Sequence, residues 1–420
     1  MRQRNSNIFK GLDWPLVVFY FLLVSLGWFS IYSASMNETH FEILDFSVKY
    51  GTQLLWILMS LILIIFTLFL DAKFYERFAS LIYAFSILSL LGLFVFGKTI
   101  SGATSWYVFS GASLQPSEFA KVATALALAK LLSDKNYNLK LVKNQIKAFF
   151  IIILPALIII PQPDPGSALV FFSLIFVLYH EGLPKFFIGL GISIITLFFL
   201  ALLINKLLLV AILTILTLLF YFIYKSKKTS LSSFLILLIV AVSYVYTVDY
   251  VFNHVFEQRH RDRINIIIGK VTDFQGIGYN THQSEIAIGS GRFLGKGYLQ
   301  GTQTQGNFVP QQHTDYIFSI VGEEFGFVGS TLVVLFFMGF ILRILYVANR
   351  QKIKFSRVYG YSIATLFLIH FTINIGMVLG MIPTIGIPLP FFSYGGSSLW
   401  GFTLMLFIFI RLDANKFYEW

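Results

Sequence analysis

The stretch from Tyr50 to Leu70, YGTQLLWILMSLILIIFTLFL, contains no charged residue and ends at the polar turn Asp71-Ala72-Lys73. As a helix it would be long enough to cross the roughly 30 Å hydrocarbon core of a bilayer. Similar stretches recur along all 420 residues, of which 57% are hydrophobic and only 12% are charged. Soluble domains have nearer a quarter charged residues, so the sequence predicts an all-α, polytopic integral membrane protein.

Turns and charged residues divide the chain into about twelve predicted transmembrane helices, which form a single membrane domain over residues 1–420. The first span is long and others follow it, so we expect it to be retained rather than cleaved as a signal peptide. The predicted spans are 15–34, 50–70, 77–96, 117–133, 147–161, 166–181, 185–204, 207–224, 231–249, 322–346, 358–381 and 396–411.

The distribution of Lys and Arg predicts the orientation of these spans. With the N-terminus inside, 21 of the 31 basic residues fall on one side, including those at Lys135–Lys147, Lys225–Lys228 and Arg350–Arg357. The positive-inside rule therefore places both termini in the cytoplasm. It also explains the net charge of +11 without a nucleic-acid partner. Because the chain has no cysteine, disulfides and thiolate metal sites are excluded.

Residues 250–314 are predicted to form one large loop on the outer side. Glycines and apolar residues occur throughout it, a composition that favours an ordered loop with tight turns over a disordered segment. Arg259, Arg261 and Arg263 lie in this loop, where the positive-inside rule does not explain them. They are suited either to acidic lipid headgroups or to a diphosphate.

Glu118 and Lys121 stand out because charges at membrane depth cost roughly 2.5–3.5 kcal/mol each on insertion scales. Their spacing of three residues places them on one face of a helix, where they can pair. Two interpretations remain open: an ion pair that holds helices together, or a pair that lines a polar cavity.

Polar residues at the predicted outer ends of spans have competing interpretations. Asp315, next to His313 where the long loop meets the membrane, would be either a helix cap or a general base. Asp164 is more typical of a helix cap, and Trp106 of an interfacial anchor. Glu323-Glu324 would open a span, where the helix dipole favours negative charge. Gly395-Gly396-Ser397-Ser398 would serve close packing or offer backbone N–H groups to an anion.

Five motifs occur in an order that resembles the SEDS family (shape, elongation, division and sporulation) of peptidoglycan glycosyltransferases. The similarity extends from about residue 11 to 411, and the segments Gln283–Gly291, Gly295–Gly297 and Gly301–Gln303 resemble its RodA type. The motifs are Gln115–Lys121, Gln162–Ala168, His313–Phe318, Gly322–Gly326 and Pro390–Ser398. The family usually has ten spans, so this resemblance makes 207–249 an extra helix pair.

The resemblance also assigns roles to residues. Asp315 matches the essential aspartate of the family and is the expected catalytic residue, while Trp106, Glu118 and Lys121 match positions implicated in activity. The other expected substrate-binding or supporting residues are Ser117, Arg259, Arg261, Arg263, Gln283, Arg292, Lys296, His313, Ser393, Gly395, Gly396 and Ser397. The implied partners are a class B penicillin-binding protein and other membrane proteins of the elongation complex. The implied location is the bacterial inner membrane, with the active site on its outer face.

The implied reaction is polymerisation of lipid II by β-1,4 transfer, with undecaprenyl diphosphate as the leaving group. A positioned carboxylate base would contribute about 10²–10⁴-fold. Cationic side chains, or a divalent ion such as Mg²⁺ or Mn²⁺, would meet the charge on the diphosphate, although no ligand cluster in the sequence specifies a metal. The alternatives are a flippase for the lipid-linked precursor and a non-catalytic scaffold.

The orientation can be tested with single cysteines, because the chain has none of its own. We expect a cysteine at Gly276 to react with a membrane-impermeant maleimide from outside the cell. A cysteine at Lys140, in a predicted inner loop, should react only after permeabilisation. Labelling of position 276 from the cytoplasmic side alone would contradict the charge-based topology.

Overall fold

The computed structural model describes residues 11–36, 45–100, 102–109, 112–224, 231–256, 258–270, 276 and 278–415. The predicted turn Lys225–Lys228 and the basic residues near the two chain ends, Arg2, Arg4, Lys10 and Lys416, lie outside these ranges. The chain divides into two compact units. Residues 1–183 and 280–420 belong to the first, and Pro184–Tyr279 form the second.

Helices make up most of both units. In chain order they are α1 (Trp14–Ser35), α2 (Lys49–Phe69), α3 (Ala72–Phe96), α4 (Pro116–Ser133), α5 (Val142–Ile159), α6 (Pro165–Phe172), α7 (Ile175–His180), α8 (Phe186–Leu203), α9 (Lys206–Tyr224), α10 (Leu231–Tyr250), α11 (Gln258–Ile267), α12 (Tyr279–Ser290), α13 (Thr302–Gln305), α14 (Ile317–Asn349), α15 (Lys354–Val378) and α16 (Gly396–Ala414).

Ten helices in the described part of the chain are long and apolar enough to cross a membrane, which confirms the prediction of a multi-pass membrane protein. They are α1, α2, α3, α5, α8, α9, α10, α14, α15 and α16. The predicted number of twelve is not confirmed. The span predicted at 117–133 is the helix α4, which carries Glu118, Lys121 and Lys130. The span predicted at 166–181 forms two short helices, α6 and α7.

Helix α4 lies inside the first unit and packs against α3, α15 and α16. Alanines at alternate positions from Ala123 to Ala129 are buried in it. Small side chains let neighbouring helix backbones approach closely in a membrane protein, so the alanines explain how α4 packs among three neighbours. This packing also places Glu118 and Lys121 in the interior, where both are buried.

Helix α14 is kinked at Gly326, whose backbone angles are φ 63° and ψ −157°. A β-carbon at this position would lie 2.3 Å from the amide nitrogen of Gly295, so only glycine fits without a shift. After the kink, the backbone N–H of Phe327 donates to the carbonyl of Arg292, in the long loop, at 2.9 Å. The kink thus lets helix α14 form hydrogen bonds with the long loop.

Ion pairs tie α1, α14 and α16 together at the end of the first unit opposite Asp315. Asp13 caps α1 and accepts from Arg343 at 2.8 Å and from Arg350 at 2.9 Å. Arg350 also bonds Asp413 at 2.7 Å. Since Asp13 and Asp413 are buried, these arginines neutralise carboxylates as well as adding to the basic side of the predicted topology.

Two features of the structure were not predicted from the sequence. Residues Lys98–Ile100, Ala103–Phe109 and Ala112–Leu114 form three antiparallel strands, β1 to β3, and Trp106 lies on the middle one. The predicted loop 250–314 contains α11, α12 and α13. Its glycines do form tight turns, since Gly269, Gly295 and Gly297 all have positive φ.

The second unit is built from α8, α9 and α10, with a small core that includes Leu202, Leu209 and Val245. Lys206 at the start of α9 pairs with Asp249 at the end of α10. The predicted extra pair 207–249 corresponds to α9 and α10. That this pair is added to the core shared by the family remains a prediction.

Candidate active site

Hydrogen bonds to three successive carbonyl groups hold the backbone around Asp315 in place. The His313 carbonyl accepts from Tyr394 N at 2.9 Å, and the Thr314 carbonyl accepts from Ser393 Oγ at 2.6 Å. The Asp315 carbonyl accepts from Asn374 Nδ2 at 2.9 Å. These donors lie on α15 and on the segment before α16, so distant parts of the chain fix the position of Asp315.

Asp315 does not occupy the cap position of α14. The helix begins at Ile317, its N-cap residue is Tyr316, and no side chain bonds that cap. The Asp315 side chain is partly exposed, and a β-carbon at Gly386 would lie 3.5 Å from its Oδ2. A partly exposed carboxylate on a backbone that is held in place is what a general base requires, and that role stays a prediction.

His313 faces a lysine rather than a carboxylate. Its Nδ1 lies 3.2 Å from Lys49 Nζ, and its ring meets that of Tyr394 edge-on at 5.7 Å between centroids. An ammonium can only donate, so Nδ1 is the acceptor. Burial and, to a smaller extent, the charge of Lys49 lower the pKa of His313 to about 4. His313 is therefore neutral at pH 7.

The Glu118–Lys121 pair predicted from the spacing is present in the interior of the bundle. Lys121 Nζ lies 2.8 Å from Glu118 Oε1, and the two side chains are 0% and 2% exposed. Lys121 Nζ also lies 2.9 Å from Nε2 of His370 on α15 and 5.1 Å from the ring centroid of Phe402 on α16. The pair thus connects α4 with two further helices.

His370 and Asn374 were missed by the sequence analysis. Both are buried on α15, four residues apart. His370 Nδ1 lies 3.3 Å from the Pro388 carbonyl, and Asn374 Nδ2 donates to the Ile387 carbonyl at 2.8 Å. The sequence does place two polar residues four apart inside the predicted span 358–381. This pattern could have identified them, since polar groups at membrane depth generally have a structural or functional role.

Asp164 is a helix cap, as predicted. It accepts from the backbone N–H of Ser167 at 3.0 Å at the start of α6. Gln115 joins this cap to the start of α16, because its side-chain amide donates to Asp164 at 3.1 Å and its backbone N–H donates to Ser397 Oγ at 3.1 Å. Ser117 Oγ lies 3.4 Å from Ser167 Oγ. These contacts bring three of the sequence motifs together.

Close packing accounts for the glycine pair at the start of α16. A β-carbon at Gly396 would lie 2.8 Å from the ring of Trp56. Gly395 has φ 152° and donates its N–H to Gln53 Oε1 at 3.1 Å. That N–H is thus already used within the protein, and binding of an anion there remains a prediction.

Lys296 is paired inside the protein. Its Nζ lies 2.7 Å from Glu323 Oε1, and Glu323 also accepts from the backbone N–H groups of Gln303 and Thr304, each at 2.9 Å. These N–H groups begin α13, so the Gly301–Gln303 segment holds a buried carboxylate. The adjacent Glu324 accepts from Leu299 N at 3.1 Å. The prediction that at least one of these glutamates favours the start of its own helix is therefore wrong, because α14 begins six residues before Glu323.

The remaining predicted residues lie on several different elements. Arg292 is exposed and has φ 50°, and Gln283 is half-buried on α12. Trp106 lies opposite Lys98 in the small sheet. Arg259, Arg261 and Arg263 lie on α11 in the second unit, where Arg261 donates to the Asn253 carbonyl and to Gln258, each at 2.7 Å.

Comparison with known proteins identifies relatives over nearly the whole chain. The family of cell cycle proteins that comprises FtsW, RodA and SpoVE matches residues 13–209 and 185–417. The peptidoglycan glycosyltransferase RodA of Treponema pallidum is 31% identical, with 99% of this chain and 100% of that protein covered. The peptidoglycan glycosyltransferase MrdB of Escherichia coli is also 31% identical, over 82% of this chain and 80% of its own length.

Solved structures share the fold. A chain from a peptidoglycan synthase complex that coordinates polymerization and crosslinking superposes with a TM-score of 0.71 at 23% identity, covering 97% of this chain and 99% of that chain. The rod shape determining protein RodA of Thermus thermophilus superposes with a TM-score of 0.62 at 21% identity, covering 97% of this chain and 98% of that chain.

Removal of one member of the buried pair should destabilise the protein more than removal of both. Lys121→Met leaves the Glu118 carboxylate buried without its cation, which typically costs about 3–5 kcal/mol. The double variant Glu118→Gln/Lys121→Met should recover much of that loss in a thermal or denaturant unfolding measurement. As a control, Lys206→Met breaks a pair whose lysine is 43% exposed and should cost about 1 kcal/mol or less. A double variant as unstable as Lys121→Met would contradict the assignment of that loss to the unpaired Glu118 carboxylate, and additive losses of the two single variants would show that the residues are not coupled.

His313 should make the protein less stable in acid. The unfolded chain binds a proton at His313 near pH 6.5, whereas the folded protein does so only near pH 4. This contribution is constant above pH 6.5, and stability is lost as the pH falls from 6.5 towards 4. His313→Asn keeps an acceptor for Lys49 and should lose less stability than the wild type between pH 7 and pH 5 in thermal melts. Equal losses in the two proteins would contradict the assigned pKa.

Proposed function

The chain belongs to the FtsW, RodA and SpoVE family of cell cycle proteins, and we propose that it is a peptidoglycan glycosyltransferase of the RodA type. The observation that carries this proposal is the 31% identity to the peptidoglycan glycosyltransferase RodA of Treponema pallidum along the full length of both chains. The carboxylate of Asp315, on a backbone held by three hydrogen bonds, would supply the base that such a transfer needs.

The proposed substrate is lipid II, and the reaction lengthens a glycan strand. Asp315 takes the proton from the acceptor sugar hydroxyl as that oxygen forms a bond to the anomeric carbon of the donor. The bond from this carbon to the diphosphate oxygen breaks, and undecaprenyl diphosphate leaves with the bonding electrons. A base that is held rigidly is most effective, and the three bonded carbonyls at residues 313–315 provide that rigidity.

The negative charge on the leaving diphosphate requires cationic groups. Lys49 is exposed, and its Nζ contacts the neutral ring of His313 rather than a carboxylate. For this reason Lys49 joins the exposed Arg292, which was already predicted, among the proposed cations. Among the described residues, no group of three His, Asp or Glu side chains could hold a metal ion.

The same proposal includes the orientation of the protein in the membrane. The Asp315 end of the first unit would face outward from the bacterial inner membrane, with both chain termini in the cytoplasm, as the distribution of Lys and Arg predicts. One structural neighbour comes from a peptidoglycan synthase complex. A class B penicillin-binding protein, which cross-links new strands, and other elongation-complex proteins are the proposed partners.

A flippase is a less suitable function for this site. Alternating access requires groups of helices to move relative to one another around the bound substrate. In this chain, hydrogen bonds from two distant parts of the chain fix the segment that carries Asp315. A carboxylate on a fixed backbone at one end of the bundle suits chemistry on a single membrane face.

Asp315→Asn is the variant that tests the mechanism. The substitution preserves size and removes basicity, so we expect polymer formation from fluorescent lipid II to fall at least about a hundredfold, by the usual contribution of a general base. Glycan length and amount would be measured on gels with the penicillin-binding partner present, and thermal stability would be measured in parallel. A flippase should tolerate this substitution.

The matched control for this variant is Asp134→Asn. Asp134 is an exposed turn residue that accepts from Asn136 N at 3.2 Å, and asparagine can replace it there. Normal polymerisation by the Asp315→Asn protein would exclude Asp315 as the base. Failure of the wild type to polymerise lipid II with its partner present would exclude the proposed function itself.

A further inference from the structure

A chain of buried contacts leads from the Glu118–Lys121 pair to the backbone of Asp315. It passes through two side chains of α15, His370 and Asn374, which are 1% and 0% exposed. Residues four apart lie on the same face of a helix. Both side chains therefore reach the same neighbouring segment, at the adjacent carbonyls of Ile387 and Pro388.

The partners of His370 fix its tautomer and its orientation. Nε2 lies 2.9 Å from the Lys121 ammonium, which can only donate, so Nε2 is the acceptor. Nδ1 lies 3.3 Å from the Pro388 carbonyl, which can only accept, so Nδ1 carries the proton. The imidazole can satisfy both partners in a single neutral form. It therefore links the position of Lys121 to that of Pro388.

Asn374 continues this connection to Asp315. Its amide group has two hydrogen atoms, and it donates to the Asp315 carbonyl at 2.9 Å and to the Ile387 carbonyl at 2.8 Å. Both donors are thus used to hold the backbone of Asp315 against the segment that His370 also contacts. No other residue type of this size offers two donors at this position.

The hydrogen-bonding capacity of Asn374 is only partly used. Its Oδ1 is buried and makes no hydrogen bond to the described residues, and a buried polar atom without a partner is destabilising. An apolar side chain of similar size would avoid this cost, but it would leave the carbonyls of Asp315 and Ile387 without this donor. The asparagine therefore serves to hold these two carbonyls together.

We propose that His370 and Asn374 are positioning residues for the transfer reaction. They act on the reaction through Asp315, and this inference therefore rests on the proposed function. His370 aligns the Ile387-Pro388 segment with the buried ion pair, and Asn374 aligns Asp315 with that segment. The Glu118–Lys121 pair influences the reaction through this path, without contacting the substrate itself.

Steady-state kinetics with purified protein and fluorescent lipid II test this proposal through two variants, His370→Leu and Asn374→Leu. Each should lower kcat at least tenfold while KM changes less than twofold, because a misplaced base impairs the transition state more than binding. The matched control is Ser362→Ala on the same helix. Ser362 is equally buried but bonds only its own helix, at the Val358 carbonyl, so kcat should be unchanged.

Conservative variants of His370 separate positioning from a general loss of structure. Gln can replace the Nε2 acceptor that faces Lys121, and Asn can replace the Nδ1 donor that faces Pro388. Each should recover part of the kcat lost in His370→Leu. Should Asn374→Leu fail to fold, Asn374→Ser keeps one donor and should show a smaller decrease in kcat with a normal melting temperature. Wild-type kcat in folded His370→Leu, Asn374→Leu or Asn374→Ser protein would overturn the proposal.

A double-mutant cycle with Asp315→Asn identifies the route of action. If Asn374 acts by positioning Asp315, then Asn374→Leu should reduce the residual activity of Asp315→Asn less than twofold. A reduction by the same factor as in the wild type would overturn the inference while leaving the general base intact. Full activity of Asp315→Asn alone would instead refute the proposed mechanism, so the two failures are distinguishable.

Discussion

The ammonium group of Lys121, which has no exposed surface, imposes the strongest constraint on the first unit. A buried charge is tolerated only when it is paired and its hydrogen-bonding capacity is met. Here Glu118 supplies the opposite charge, His370 supplies a lone pair, and Phe402 presents its ring. Because these partners lie on three different helices, a correct arrangement of α4, α15 and α16 is needed to satisfy one lysine.

The sequence predicted the elements that follow from local patterns. Apolar length and turn signals located the ten helices that are long enough to cross a membrane, and the predicted range 117–133 agrees with α4 at Pro116–Ser133. The spacing of Glu118 and Lys121 predicted their pairing. The three short strands near Trp106 were missed because strands of three to seven residues carry little periodic signal. Helix α12 was missed because its glycine and polar residues resemble a loop.

Contacts between distant residues could not be predicted. A lone histidine or asparagine in an apolar helix indicates that a partner exists, but it does not identify the partner. His370 and Asn374 find theirs 18 and 13 residues away, at Pro388 and Ile387. Glu323 illustrates the same limit. It does lie at the N-terminus of a helix, as its charge suggested, but the helix is α13 and not its own.

Charge compensation distinguishes the lysines that are paired within the protein from a lysine that could bind substrate. Lys121 and Lys296 each form a close pair with a buried glutamate, so little of their charge is available to a diphosphate without breaking that pair. Lys49 faces a histidine that is neutral at pH 7, and its charge is not cancelled by that contact. It also lies beside the segment that carries Asp315. Lys121 thus takes part in the buried contacts that lead to the backbone of Asp315, and the exposed Lys49 is the proposed cation for the charge that the transfer releases.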